Sequence, residues 1–114
     1  MDHQTPLTPA MFNVLLALAG EELHGYAILK DVAEQTNGEV QLSTGTLYGI
    51  IKRLLADGLI AEARRRPAEN DDPRRRYYHL TDAGREAATA EARRMEKLVA
   101  RARARQLIRA LKPL

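Results

Sequence analysis

Turn-forming residues interrupt this chain at Gly20, at Asn37-Gly38, at Asp57-Gly58 and again from Pro67 to Pro73, and that punctuation limits what it can fold into more than any other feature. Each piece between the breaks is too short to bury itself alone. Thr8 followed by Pro9 predicts a helix start, with a hydroxyl at the cap and proline at the first helical position. Met11, Val14, Leu15 and Leu18 then follow at helical spacing, and Gly20 ends the helix. A second helix is expected from about His24 to Thr36, with Tyr26, Ile28, Leu29, Val32 and Ala33 as its apolar positions. Glu39 to Leu42 reads as a short extended piece. Ser43 caps a third helix whose stripe is Leu47, Ile50, Ile51, Leu54 and Leu55.

Beyond Gly58 the period changes. Leu59 to about Arg65 predicts a strand, Pro67–Pro73 a polar loop, and Arg75 to Leu80 a second strand, since Tyr77 and Tyr78 favour extended backbone. Thr81 caps a last helix expected to run almost to Leu111, about thirty residues and ~45 Å long. The fold class is therefore mainly α with a small β-hairpin: a winged helix-turn-helix plus a long C-terminal dimerisation helix. Residues 1–82 form the expected winged helix-turn-helix domain and residues 83–114 the long C-terminal helix.

Composition narrows the functions. The 114 residues contain no cysteine, which removes disulfide scaffolds, thiolate metal sites and cysteine nucleophiles. Aromatics are few, namely Phe12, Tyr26, Tyr48, Tyr77 and Tyr78, so the core must be aliphatic; Tyr26 and Tyr78 are expected in it, each with its hydroxyl at the surface. The longest apolar run, Val14–Ala19, is far short of the ~20 residues that span a bilayer. No basic stretch followed by an apolar one opens the sequence, and a cytoplasmic protein without membrane contact is the expectation. Charge is unevenly spread: residues 1–42 carry one base and six acids, a net −5, whereas residues 43–85 carry +3 and residues 86–114 carry +5. Such asymmetry leaves one face for a polyanion. The C-terminal bases suit the solvated side of a helix equally well.

The third helix carries the sharpest signal. At 100° per residue, Gly45, Gly49, Lys52 and Ala56 face away from the apolar stripe, with Thr46 and Arg53 on one flank and Tyr48 on the other. A helix-interior glycine costs about 1 kcal/mol relative to alanine. Two of them on an outward face are accounted for by close approach to another backbone. In a DNA major groove, small residues let the helix sit deep. Thr46, Lys52 and Arg53 then reach phosphates or base edges. Ser43 and Thr44 add hydroxyls at a helix N-terminus that already offers free amides to phosphate. Arginine triplets form the second signal. Arg64, Arg65 and Arg66 end the first wing strand, and Arg74, Arg75 and Arg76 start the second. Like charges facing across a hairpin repel, and an anion between or beside them relieves this, as do Glu69, Asp71 and Asp72 in part. Guanidinium forks suit phosphate.

Catalysis and metal binding find little support. His3, His24 and His79 lie in separate elements, no phosphate loop is present, and Ser43, the sole serine, is explained as a cap. No cofactor is expected. In the last helix, Ala88, Ala92, Met95, Val99 and Ala102 follow a heptad-like 4-3-4-3 spacing. The domain cannot cover the whole of so long a helix, and a two-fold homodimer is the simplest partner.

With these residues in view, His24-Gly25-Tyr26, Ser43-Thr44-Gly45-Thr46-Leu47-Tyr48, Asp57-Gly58-Leu59-Ile60 and the run Arg75–Gly84 (RRYYHLTDAG) together resemble the PadR family of transcriptional regulators, over roughly residues 8 to 90. The resemblance implies a winged-helix repressor that dimerises through its C-terminal helix and whose DNA affinity falls when a small hydrophobic or aromatic effector binds. It implies DNA contacts at Thr46, Tyr48 and Lys52, and at the basic start of the second wing strand, Arg75 and Arg76. The family usually places proline before and after the GTLY piece; here Thr44 and Gly49 stand there, so a target sequence does not transfer. No tryptophan is present to stack a flat ligand. The function expected is a double-stranded-DNA-binding regulator acting on a palindromic operator. Its rivals are a protein–protein adaptor, which would not need a basic wing, and a scaffold for small hydrophobes, which would need an apolar pocket between the long helices.

Overall fold

The computed structural model describes residues 7–63 and 74–109. Helix α1 (Pro9–Gly20) starts where Thr8 Oγ1 accepts the amide of Met11 at 3.1 Å. A two-residue strand β1 (Leu23–His24) leads into α2 (Gly25–Gln35), and α3 (Thr44–Ala56) follows. Strands β2 (Ile60–Glu62) and β3 (Tyr77–Leu80) precede the last helix, α4 (Asp82–Ala104). Apolar faces of α1, α2 and α3 meet around Val14, Leu15, Leu18, Ile28, Val32, Leu47, Ile51 and Leu54, all nearly inaccessible to water. Ile60, Tyr78 and Ala88 close the core from the sheet and from α4. No described helix is long and apolar enough to cross a membrane.

The sheet is antiparallel with strand order β1-β3-β2. Leu23 pairs with Tyr78 and His24 with Tyr77, while Ile60 pairs with Leu80 and Glu62 with Tyr78. β3 is thus central, and both Tyr77 and Tyr78 are buried. The two rings still point to opposite faces of β3: Tyr78 joins the main core, whereas Tyr77 lies outside that cluster, with the ring of His24 from β1 edge-on to it.

Four further details depart from the sequence reading. Glu39–Leu42 forms no strand; Asn37 and Gly38 turn the chain with φ of 52° and 80°, and Val40 and Leu42 merely lean on the core. α4 stops at Ala104, 23 residues long, because Gln106 adopts φ 64° and the amides of Gln106 and Leu107 turn back to Arg103 O and Ala102 O at 3.0 and 2.9 Å. This is the Schellman stop, usually made by glycine. Tyr26 is an exposed residue rather than a core one, and Leu55 at the edge of the α3 stripe is exposed too. The end of the expected first wing strand beyond Ala63, with the triplet Arg64–Arg66, and the loop Pro67–Pro73 lie outside the described residues.

Two contacts fix α4 against α3 and the sheet. Thr81 Oγ1 donates to Gly58 O at 2.6 Å and accepts the amide of Gly84 at 3.0 Å, so one hydroxyl caps α4 and clasps the α3–β2 turn. A Cβ on Gly84 would come to 1.9 Å from Leu59 O. Only glycine lets the first turn of α4 lie this close to that backbone.

Candidate nucleic-acid interface

Ser43 caps α3: its Oγ accepts the amide of Thr46 at 3.1 Å and donates to Thr46 Oγ1 at 2.9 Å. The two hydroxyls therefore form one polar unit at the exposed helix start, with Thr44 and Gly45 beside them. Leu47 and Ile51 anchor the opposite face in the core. Nothing lies within 4 Å of a Cβ built on Gly45 or Gly49, and neither has left-handed backbone. No turn and no intramolecular contact requires these glycines. Lys52 projects from the same side and is exposed. Arg53 is held by Asp57, Nε to Oδ2 at 3.2 Å.

Tyr48 is half exposed, and its ring lies over the start of α2: a Cβ on Gly25 would meet Tyr48 Oη at 2.6 Å and Cζ at 3.0 Å. Gly25 thus makes room for the tyrosine of α3. His24 caps α2 by accepting the amide of Ala27 on Nδ1 at 3.3 Å, and its ring stands edge-on to Tyr77 with centroids 5.3 Å apart. Sequence reasoning gave His24 and Gly25 no part in placing α3. Their position directly before a helix, with Tyr48 downstream, was the available signal.

At the wing, Arg74, Arg75 and Arg76 are all exposed. Arg76 Nη1 reaches both carboxylate oxygens of Glu62 at 3.2 Å across the β2–β3 pair. Tyr78 of the central strand is buried in the core. Burial pushes its hydroxyl above the usual tyrosine range, the charges of Glu62 and Tyr48 push the same way, and Arg76 opposes them. Tyr78 is the cross-strand partner of Glu62 in the β2–β3 register. Among the described residues no three acidic or histidine side chains gather in a way that could hold a metal ion.

Comparison with known proteins decides the family. The model of the transcriptional regulator PadR-like family matches residues 14–90. A transcriptional regulator of Mycobacterium tuberculosis is 35% identical over 86 residues, which cover 75% of each chain. The chain belongs to the PadR-like family of transcriptional regulators. A 37.1 kDa protein of a Streptomyces fradiae transposon is 44% identical over 92 residues, 81% of this chain but only 24% of that protein. This chain thus spans about a quarter of that relative. Among solved structures, Bacillus subtilis PadR in complex with operator DNA matches with a TM-score of 0.62 at 20% identity, over 94% of this chain and 51% of that one. Bordetella bronchiseptica BpsR, whose DNA binding is regulated by 6-hydroxynicotinic acid, matches with a TM-score of 0.64 at 25% identity, over 95% of this chain and 70% of that one.

In this PadR-like chain the residues of the expected dimer seam have unlike surroundings. Ala88 is buried within the protomer's own core. Met95 packs partly against that core, and Ala102 is half buried. Ala92 and Val99 are exposed, as is Leu98 beside them. Arg94 and Glu91 pair on the same helix, at 2.6 Å between Nη2 and Oε2.

Proposed function

We propose that this chain is a homodimeric repressor that binds double-stranded DNA at a palindromic operator, with residues 1–82 reading DNA and residues 83–114 serving assembly. The observation that carries the reading is the outward face of α3, where Gly45, Gly49 and Lys52 leave the backbone uncovered although no fold constraint asks for glycine. A groove that admits a helix accounts for such a face. Ser43, Thr44 and Thr46 meet the phosphates at the helix start, Lys52, Arg53 and Tyr48 reach base edges or the backbone beside it, and Arg74, Arg75 and Arg76 grip the flanking backbone.

Ala92, Met95, Val99 and Ala102 join two protomers along α4, with Ala88 lying under the start of that seam. Half-sites would then lie one helical turn apart, ~34 Å. Regulation by a small hydrophobic or aromatic effector is supported by BpsR, whose DNA binding responds to 6-hydroxynicotinic acid.

The test is fluorescence anisotropy with a random duplex across a salt series, with sedimentation on the same sample. A dimer that makes roughly 6–10 phosphate contacts loses affinity linearly and steeply with log salt. Arg75→Ala should flatten that slope for every sequence, whereas Lys52→Ala should also change which sequence is preferred. A dimer that binds no duplex at low salt would overturn the reading and leave the adaptor or scaffold.

A further inference from the structure

The cations of the DNA-facing surface are not equivalent. Among the described residues Lys52 has no carboxylate partner, whereas Arg53 and Arg76 each hold one. Glu62 occupies Arg76 from the neighbouring strand, with the side chains 51% and 68% exposed, respectively. Asp57 occupies Arg53 one turn along α3, again with both groups exposed. Contacts at 3.2 Å between solvated side chains contribute little to folding. An acid on a surface that meets a polyanion also opposes binding. Glu62 lies opposite Tyr78 in the β2–β3 register, and β2 follows α3 directly through the Asp57–Gly58 turn, so the pair sits on the strand that adjoins α3.

Resting on the DNA-binding reading above, we propose that Glu62 is a specificity-determining residue, with Asp57 as a second instance. Its carboxylate stands in for a phosphate on Arg76 in the free protein. On random DNA the exchange of carboxylate for phosphate is close to balanced; Arg76 stays paired, and the charge of Glu62 repels the duplex. On the operator, base contacts from α3 fix the register and bring one phosphate to the wing, and Arg76 changes partner. Glu62 thus lowers sequence-independent binding more than operator binding.

Glu62→Gln keeps the side chain's shape and removes its charge. Full-length protein carrying it should bind a random duplex roughly fivefold more tightly per engaged protomer at moderate salt, with a log–log salt slope steeper by about 0.9 for each Arg76 released. A duplex selected from a random pool for tight binding to the parent should gain less. Glu62→Asp, which keeps the charge, should behave like the parent. In an Arg76→Gln background, Glu62→Gln should keep only the smaller gain from removed repulsion and lose the steeper salt slope; Glu96→Gln, at an exposed acid on α4, is the control for net charge. Asp57→Asn repeats the measurement on the second pair and does not depend on the hairpin folding normally.

The proposal is overturned if Arg76→Gln weakens binding yet neither Glu62→Gln nor Asp57→Asn tightens it. Equal gains from Glu62→Gln and Glu96→Gln also overturn it, because net charge alone would then be the cause. If Arg76→Gln leaves binding unchanged, the wing assignment itself has failed and this inference falls with it.

Discussion

Gly84 and Gly49 do different jobs in this chain, and each predicts a different mutant. Gly84 is a close approach: a Cβ would overlap Leu59 O, so backbone must move. Gly84→Ala should lose about 3 kcal/mol of stability in denaturant unfolding. Gly49 is an open position on a regular helix, where nothing opposes a side chain. Gly49→Ala should therefore gain up to about 1 kcal/mol in stability while weakening DNA binding. A variant that gains stability and binds DNA as well as the parent would show that the face is not used for close approach. Tyr78 gives a pH dependence, since its hydroxyl ionises later in the folded chain than in the unfolded one. The associated stability is whole below the unfolded value near pH ~10 and is lost as pH rises from there through the higher folded value. Melts between pH 9 and 11, compared with Tyr78→Phe, should show a shallower decline in the variant.

At the scale of elements, the ends of helices decide how the pieces meet. Hydroxyl caps at Thr8, Ser43 and Thr81 start α1, α3 and α4, and an imidazole at His24 starts α2. Thr81 does more than cap, because its hydroxyl also ties the α3–β2 turn to α4. The far end of α4 is less well matched to its conformation. Gln106 holds a left-handed backbone that glycine adopts without steric cost. Gln106→Gly should stabilise the chain by about 0.5–1 kcal/mol, with helix content unchanged by circular dichroism. A loss of stability would mean that the side chain of Gln106 contributes more than its backbone costs.

At the scale of the whole molecule, the core is spent on joining three short helices to a small sheet, and α4 takes part in it only as far as Met95. Beyond Met95 that helix leaves Leu98 and Val99 outside. On the proposed assembly, Val99→Glu should produce a monomer in sedimentation at micromolar concentration, with little change in far-ultraviolet circular dichroism. DNA affinity should fall with it, because two recognition helices no longer act as one ligand. An intact dimer would move the interface elsewhere. The family match at residues 14–90 covers the winged helix and the first turns of α4, so this prediction concerns a part of the chain largely outside the family model.

Local physics was legible in the chain itself. Cap bonds join residues three apart, and apolar stripes repeat within one helix, so α1, α2, α3 and the start of α4 follow from neighbours in sequence. The outward character of Gly45, Gly49 and Lys52 follows from the same geometry. The Arg53–Asp57 pair is one helical turn and could have been read there too. What only the tertiary structure decided depends on residues far apart. Leu23–His24 is a strand solely because β3 pairs with it. Val40 and Leu42 alternate like a strand because they lean on the core, yet no strand pairs with them. Tyr77 meets the ring of His24 only because β1 pairs with β3. Glu62 finds Arg76 only in the hairpin's register. Gly25 matters because Tyr48 arrives above it, and Gly84 because Leu59 does. Periodicity reports which face of an element is apolar; it carries no record of what the other elements bring to that face.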